Sequence, residues 1–179
     1  MLKHKKLGYQ TEVIPNGSMV STENGVKAIE NLFVNERVLT DDGKWESIIS
    51  IQGKTAENQF IIQLHGTNDV YLSLDSKVLV REVDFVDGGG QTVPSVGLPK
   101  RIPIRQLRVD KHLVLAPNAV INKHNPSSKE VTTQSSYLDQ QNNQWVQIKS
   151  IGFQAGEYAG RKLGLKRNVG ITVGGVAIQ

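Results

Sequence analysis

The chain of 179 residues has no cysteine, which excludes thiolate nucleophiles, zinc-thiolate sites and disulfides at once. The nucleophiles left to weigh are hydroxyls. Ser18 and Ser21 have no histidine near them in sequence to take a proton. As small hydroxyl residues at a turn and a strand start, they read first as structural. The histidines, His4, His65, His112 and His124, show no metal-ligand spacing, and no Asp/Glu cluster completes a site. They read as ordinary surface or loop residues. Gly88-Gly89-Gly90 lacks the following Lys-Ser/Thr and helix start of a phosphate-cradling loop, and reads as a flexible turn. Asn16-Gly17-Ser18 matches a glycosylation sequon, but with no export signal in the sequence it reads as a turn. No cofactor, metal or small-molecule substrate is implied.

The elements that must position these residues are strands. Asn24-Gly25 and Asp42-Gly43 favour the positive φ of tight turns, so Arg37 to Thr40 and Trp45 to Ile51 read as a hairpin. Further strands are expected at Phe60 to Leu64, Val70 to Leu74, Lys77 to Val83, His112 to Leu115, Trp145 to Ile151 and Gly170 to Ile178, with a helical turn at Val26 to Leu32. Pro94, Pro99 and Pro103 exclude a long helix through the middle. Residues 118–144 are polar and read as a surface insertion. No regular repeat is evident.

Hydrophobic residues make up 38% and charged residues 21%, too ordinary for disorder and too scattered for a membrane span. No apolar run follows the basic start, so no secretory signal is read, and a cytoplasmic or virion location is expected. The net charge of +4 is spread over Lys3/Lys5/Lys6, Lys100/Arg101/Arg105/Arg108 and Arg161/Lys162/Lys166/Arg167. Convergence of these groups would suit a nucleic acid. With 6% aromatics and no recognition motif, a solvated surface is the preferred reading.

Several blocks, in order, resemble the Hedgehog/intein (Hint) family. Gly17-Ser18-Met19-Val20-Ser21-Thr22, Gly25, Ile29-Glu30, Leu32, Val34 and Val38-Leu39-Thr40 look like its opening block, with Asn35-Glu36 in place of Gly-Asp. Leu72 to Val80 is similar to its Thr-x-x-His block. Ile104 to Pro117 is similar to Leu-x-Val-Gly-Asp-x-Val-x-x-Pro, and Trp145 to Gln179 to the strands that end in His-Asn. The resemblance implies an all-β, intein-like horseshoe of twisted antiparallel strands. It divides the chain into a basic arm, 1–11, and one domain, 12–179, whose insertion lies where inteins carry an endonuclease.

The family's chemistry needs a nucleophile at the first position of the opening block, a histidine in the second, and a final His-Asn pair. By resemblance those positions are Val13, Ser76, Ile178 and Gln179. Valine cannot attack a carbonyl, serine is no imidazole, and isoleucine moves no proton. Glutamine could still form a six-membered imide. The resemblance therefore implies a non-enzymatic module kept as a structural or binding part of an assembly, such as a virus particle. Its partners would be proteins, including copies of itself, with Lys3, Lys5 and Lys6 as interaction residues. Two readings stand beside it, a mature fragment of an autoprocessing domain and a basic nucleic-acid binder. The chain starts twelve residues before the first splice position and ends at the last, which suits the non-splicing reading.

Overall fold

A computed structural model describes residues 8–64, 69–84, 95–116, 136–138 and 144–179. Within these the protein is all-β, with short 3-10 turns at Ile29–Asn31 and Ile104–Gln106 and no α-helix. The strands are β1 (Tyr9–Gln10), β2 (Ile14–Pro15), β3 (Met19–Thr22), β4 (Gly25–Ala28), β5 (Arg37–Leu39), β6 (Trp45–Leu64), β7 (Val70–Ser73) and β8 (Lys77–Asp84). After them come β9 (Ser95–Val96), β10 (Lys100–Pro103), β11 (His112–Ala116), β12 (Ser136–Leu138), β13 (Gln144–Leu165), β14 (Ile171–Val173) and β15 (Val176–Ile178). Every pairing is antiparallel.

The hairpin expected at Arg37 to Ile51 is present. Gly43 takes φ 79° and donates its N–H to Thr40, while Thr40 and Lys44 close the turn. The second strand does not stop at Ile51. It runs on to Leu64 and pairs along its length with β13, from Ile148↔Leu64 to Leu165↔Ile48. Three register shifts break this ladder, one of them at Gln154/Glu157 opposite Asn58, whose φ is 63°. Such bulges bend and twist a ribbon. Phe60 to Leu64 is therefore not a free edge. Its first residues pair with β7 on one side, Phe60↔Leu72 and Ile62↔Val70, and with β13 on the other.

Two units of like build flank the terminal hairpin. In the first, β3 pairs with β4, and Ser18 O accepts the N–H of Ile29 at 2.8 Å. In the second, β8 pairs with β10, and Ser76 O accepts the N–H of Ile104 at 2.9 Å. Ile29 and Ile104 are both buried, and each takes the N–H of the leucine three positions on, Leu32 or Leu107. The shared signal is only Ile-x-x-Leu-x-Val, Ile29 to Val34 and Ile104 to Val109, too sparse to read as a repeat. The helical turn expected over Val26 to Leu32 shrinks to Ile29–Asn31 because Gly25–Ala28 is held as a strand against β3. The hairpin β14–β15 bridges the units. Val173 pairs with Val20 and Gly174 donates to Met19 O, while Ile178 pairs with Val78 and Gln179 donates to Lys77 O. Val20, Val38, Ile48, Ile62, Val78, Val80 and Ile171 form the core between them.

The arm begins its docking earlier than residue 12. Tyr9 and Gln10 pair with Leu165 and Gly164. Thr11 then donates its N–H to Leu163 O at 2.8 Å, and its hydroxyl accepts the Leu163 N–H at 3.0 Å. Lys3, Lys5 and Lys6, His4, His65, His124, Gly88-Gly89-Gly90 and most of the 118–144 insertion lie outside the described residues.

Candidate functional site

Val13 sits where β2 crosses β13. It is 8% exposed, between Thr11, bonded to Leu163, and Ile14, paired with Arg161. The crossing is close enough to require glycine at 160. A Cβ there would fall on Ile14 O and lie 2.8 Å from Val13 Cγ1. β2 also packs against β7, so the strands β7, β6, β13 and β2 curl around one another and carry Val13 toward the turn that follows β7.

That turn holds Ser76, 1% exposed. Its hydroxyl lies 3.0 Å from that of Ser73, its N–H donates to Ser73 O, and its carbonyl accepts from Ile104. Tyr158 of β13 lies within electrostatic reach of both places. Its phenol is pushed above its ordinary pKa, first by burial. The nearby Ser73 hydroxyl works the other way, and the carboxylates of Asp75 and Glu12 add to the rise. Glu12 precedes Val13 and Asp75 precedes Ser76, so Tyr158 senses both segments. Its hydroxyl makes no hydrogen bond of ordinary geometry among the described residues, although Ser73 is close enough to bear on its ionisation. No motif marks Tyr158 in the sequence, because its position follows from the bend of the ribbon.

Gln179 is tied by its main chain to Lys77, the neighbour of Ser76, donating at 2.8 Å and accepting at 3.0 Å. Its side-chain amide donates to Asn168. Ile178 is 4% exposed and packs in the core opposite Val78. The structure thus puts Gln179 directly beside the Ser76 turn, and reaches Val13 from that turn through β7 and β2.

The chemistry available here is limited. Val13 offers a hydrocarbon, Ser76 faces another hydroxyl, and Ile178 is apolar. The one histidine among the described residues, His112, receives the Arg108 N–H at Nδ1 and has its Nε2 4.0 Å from Glu82. Ser18 and Ser21 lie in the β2–β3 turn and in β3, and no hydrogen bond to an imidazole is found for either among the described residues. No group of three potential metal ligands occurs among the described residues, and no helix there is long and apolar enough to cross a membrane.

No protein-family model matches the sequence, and no curated protein does. Solved structures do. An intein-like domain from Clostridium thermocellum is 12% identical and superposes with a TM-score of 0.55 over 94% of this chain and 97% of its own. The TvoVMA intein is 12% identical with a TM-score of 0.61, over 94% of this chain and 96% of its own. The DnaX mini intein from Spirulina platensis is 13% identical with a TM-score of 0.57, over 94% and 99%. With the horseshoe ribbon and the bridged pair of units, these likenesses establish that the chain has the fold of inteins and intein-like Hint domains.

Proposed function

We propose that this is a splicing-incompetent Hint module that serves as a structural or binding component of a larger protein assembly, a virus particle being one such setting. The observation that carries the first half is Val13, a buried hydrocarbon packed on Gly160 at the position from which attack would start. The other positions agree with it. Ser76 is engaged by Ser73, and Gln179 is held in a strand pairing with Lys77 and by Asn168. A leaving-group step at Gln179 would first have to break that amide contact, with no imidazole in the preceding residue.

Local ion pairing supports assembly with proteins over binding to a polyanion. Lys100 pairs with Glu82, Arg101 with Asp41, Arg105 with Asp75, Arg108 with Asp110, and Arg167 with both Asp42 and Glu46. Much of the positive charge read from the sequence is neutralised where it sits, which lowers the counterion release that drives nucleic-acid binding.

The test is a fusion of the whole chain between two soluble reporters, read by intact mass. One uncleaved chain is expected after prolonged incubation with or without added thiol. Ligated reporters, or a freed C-terminal reporter in the absence of protease, would return the chain to the autoprocessing class.

A further inference from the structure

We propose that His112 is an acid-sensitive latch on the second of the two units. Neutral, it holds the turn 107–112 closed; protonated, it releases that turn and the support it gives to the Ser76 turn beside Gln179.

The two units share one local problem and solve it differently. In each unit the residue after the capping leucine, Phe33 or Arg108, has its N–H taken up by a side chain three or four positions further on. In the first unit Phe33 N–H donates to the Glu36 carboxylate at 2.8 Å. In the second, Arg108 N–H donates to Nδ1 of His112 at 2.9 Å. A carboxylate accepts at all but acidic pH. An imidazole accepts only while neutral, because the protonated ring is a donor at both nitrogens. Rotating the ring does not help, since Nε2 would then present its own proton to Arg108.

The surroundings give the imidazolium little compensation. His112 is 5% exposed, so little water reaches the new charge. Among the described residues, Glu82, on β8, attracts a charged ring from 4.0 Å off Nε2, and Asp110 attracts it as well. Glu82 already holds Lys100 at 2.6 Å and lies 3.9 Å from Lys111. Lys111, Lys100 and Arg108 repel a charged ring, and Asp110 is committed to Arg108 through two hydrogen bonds. Burial first, then these cations, hold His112 below the ordinary imidazole pKa against the pull of Glu82. The open state therefore takes the proton more readily than the closed one. The closed state is fully favoured above an ordinary imidazole pKa of about 6.5 and loses that advantage as pH falls through the lowered value. Glu36 is held below the usual carboxylate range, chiefly by its hydrogen bond with Lys27, so the first unit's turn outlasts the second's on acidification.

The consequence reaches the candidate site by bonds already described. The turn 107–112 carries Leu107, which donates to Ile104, and Ile104 donates to Ser76 O. Acid should loosen this side of the module while the side built on Ser18 stays closed.

Imidazole nitrogen shifts and amide exchange, measured by NMR on the full chain, decide the matter. Expected are an Nε2–H tautomer at neutral pH, a His112 pKa below about 6.5, and loss of Arg108 amide protection by about tenfold per unit once titration begins. These rates are corrected for the intrinsic pH dependence of exchange, and Phe33 should stay protected over the same range. His112→Gln, whose amide oxygen accepts at any pH, should keep Arg108 protected throughout. An Nδ1–H tautomer, a His112 pKa at or above the ordinary value, or the same opening profile in the glutamine variant would overturn the latch. Should the variant fail to fold, the wild-type tautomer and pKa still decide.

Discussion

Asn35 and Glu36 stand where the resembled opening block has Gly-Asp, and the structure shows how they do the same work. Asn35 takes φ 78°, in the left-handed region that glycine enters freely and asparagine tolerates. Glu36 reaches back to the Phe33 N–H as a shorter acid would, and pairs with Lys27 at 2.8 Å. Asn35→Gly should leave stability nearly unchanged, whereas Asn35→Val should cost about 1–2 kcal/mol, read as a lower midpoint in chemical denaturation. Glu36→Gln should cost about 1 kcal/mol by weakening both contacts. The pH dependence follows from the same groups. Glu36 is lowered chiefly by Lys27. Asp42 is lowered by Thr40 and Arg167 although burial, the largest single influence, pushes it up. Their contribution is present above the ordinary carboxylate values and lost as pH falls through the lowered ones. Denaturation midpoints measured down an acid series should decline there, beyond any earlier step from His112.

At the scale of elements, the short strands were legible and the long ones were not. Arg37 to Thr40, Val70 to Leu74 and His112 to Leu115 carry β-branched or alternating apolar residues between turn signals, and each is a strand to within a residue or so. The middle of the β6–β13 ribbon reads Gly53-Lys54-Thr55-Ala56 against Tyr158-Ala159-Gly160-Arg161, with little apolar patterning because much of it is exposed. Partner pairing, not local propensity, makes it a strand, and a single sequence does not display that. Gly160 is the exception whose role is sharp. Gly160→Ala should cost about 1–3 kcal/mol by forcing β2 off β13, detectable as faster exchange at Asn16, whose N–H donates to Ala159 O. Glu57 and Glu157 face each other directly across the ribbon. Replacing that like-charge pair by Glu57→Lys should raise stability by about 0.5 kcal/mol, with the gain shrinking in high salt.

For the whole molecule, the sequence blocks indicated the fold. They did not indicate Tyr158 or the engagement of Ser76 by Ser73, since both depend on how far the ribbon bends. The end of the arm, Tyr9 to Thr11, is docked on β13. Truncation of residues 1–7 should leave the fold intact, whereas removing 1–10 deletes β1 and should lower the melting temperature. Circular dichroism melts of the two truncations distinguish these outcomes, and light scattering would report whether Lys3, Lys5 and Lys6 contribute to association. The bridging hairpin β14–β15 carries a consequence of another kind. Neither unit acquires its central neighbour until residues 171–179 are available, and Thr11 must find Leu163, 152 positions away. During synthesis both halves must wait, their sheets incomplete, until the last of these residues clears the ribosome. High contact order of this sort makes folding slow, so the chain folds only after translation of this region, and a nascent chain halted before Ile171 is the form a chaperone would capture.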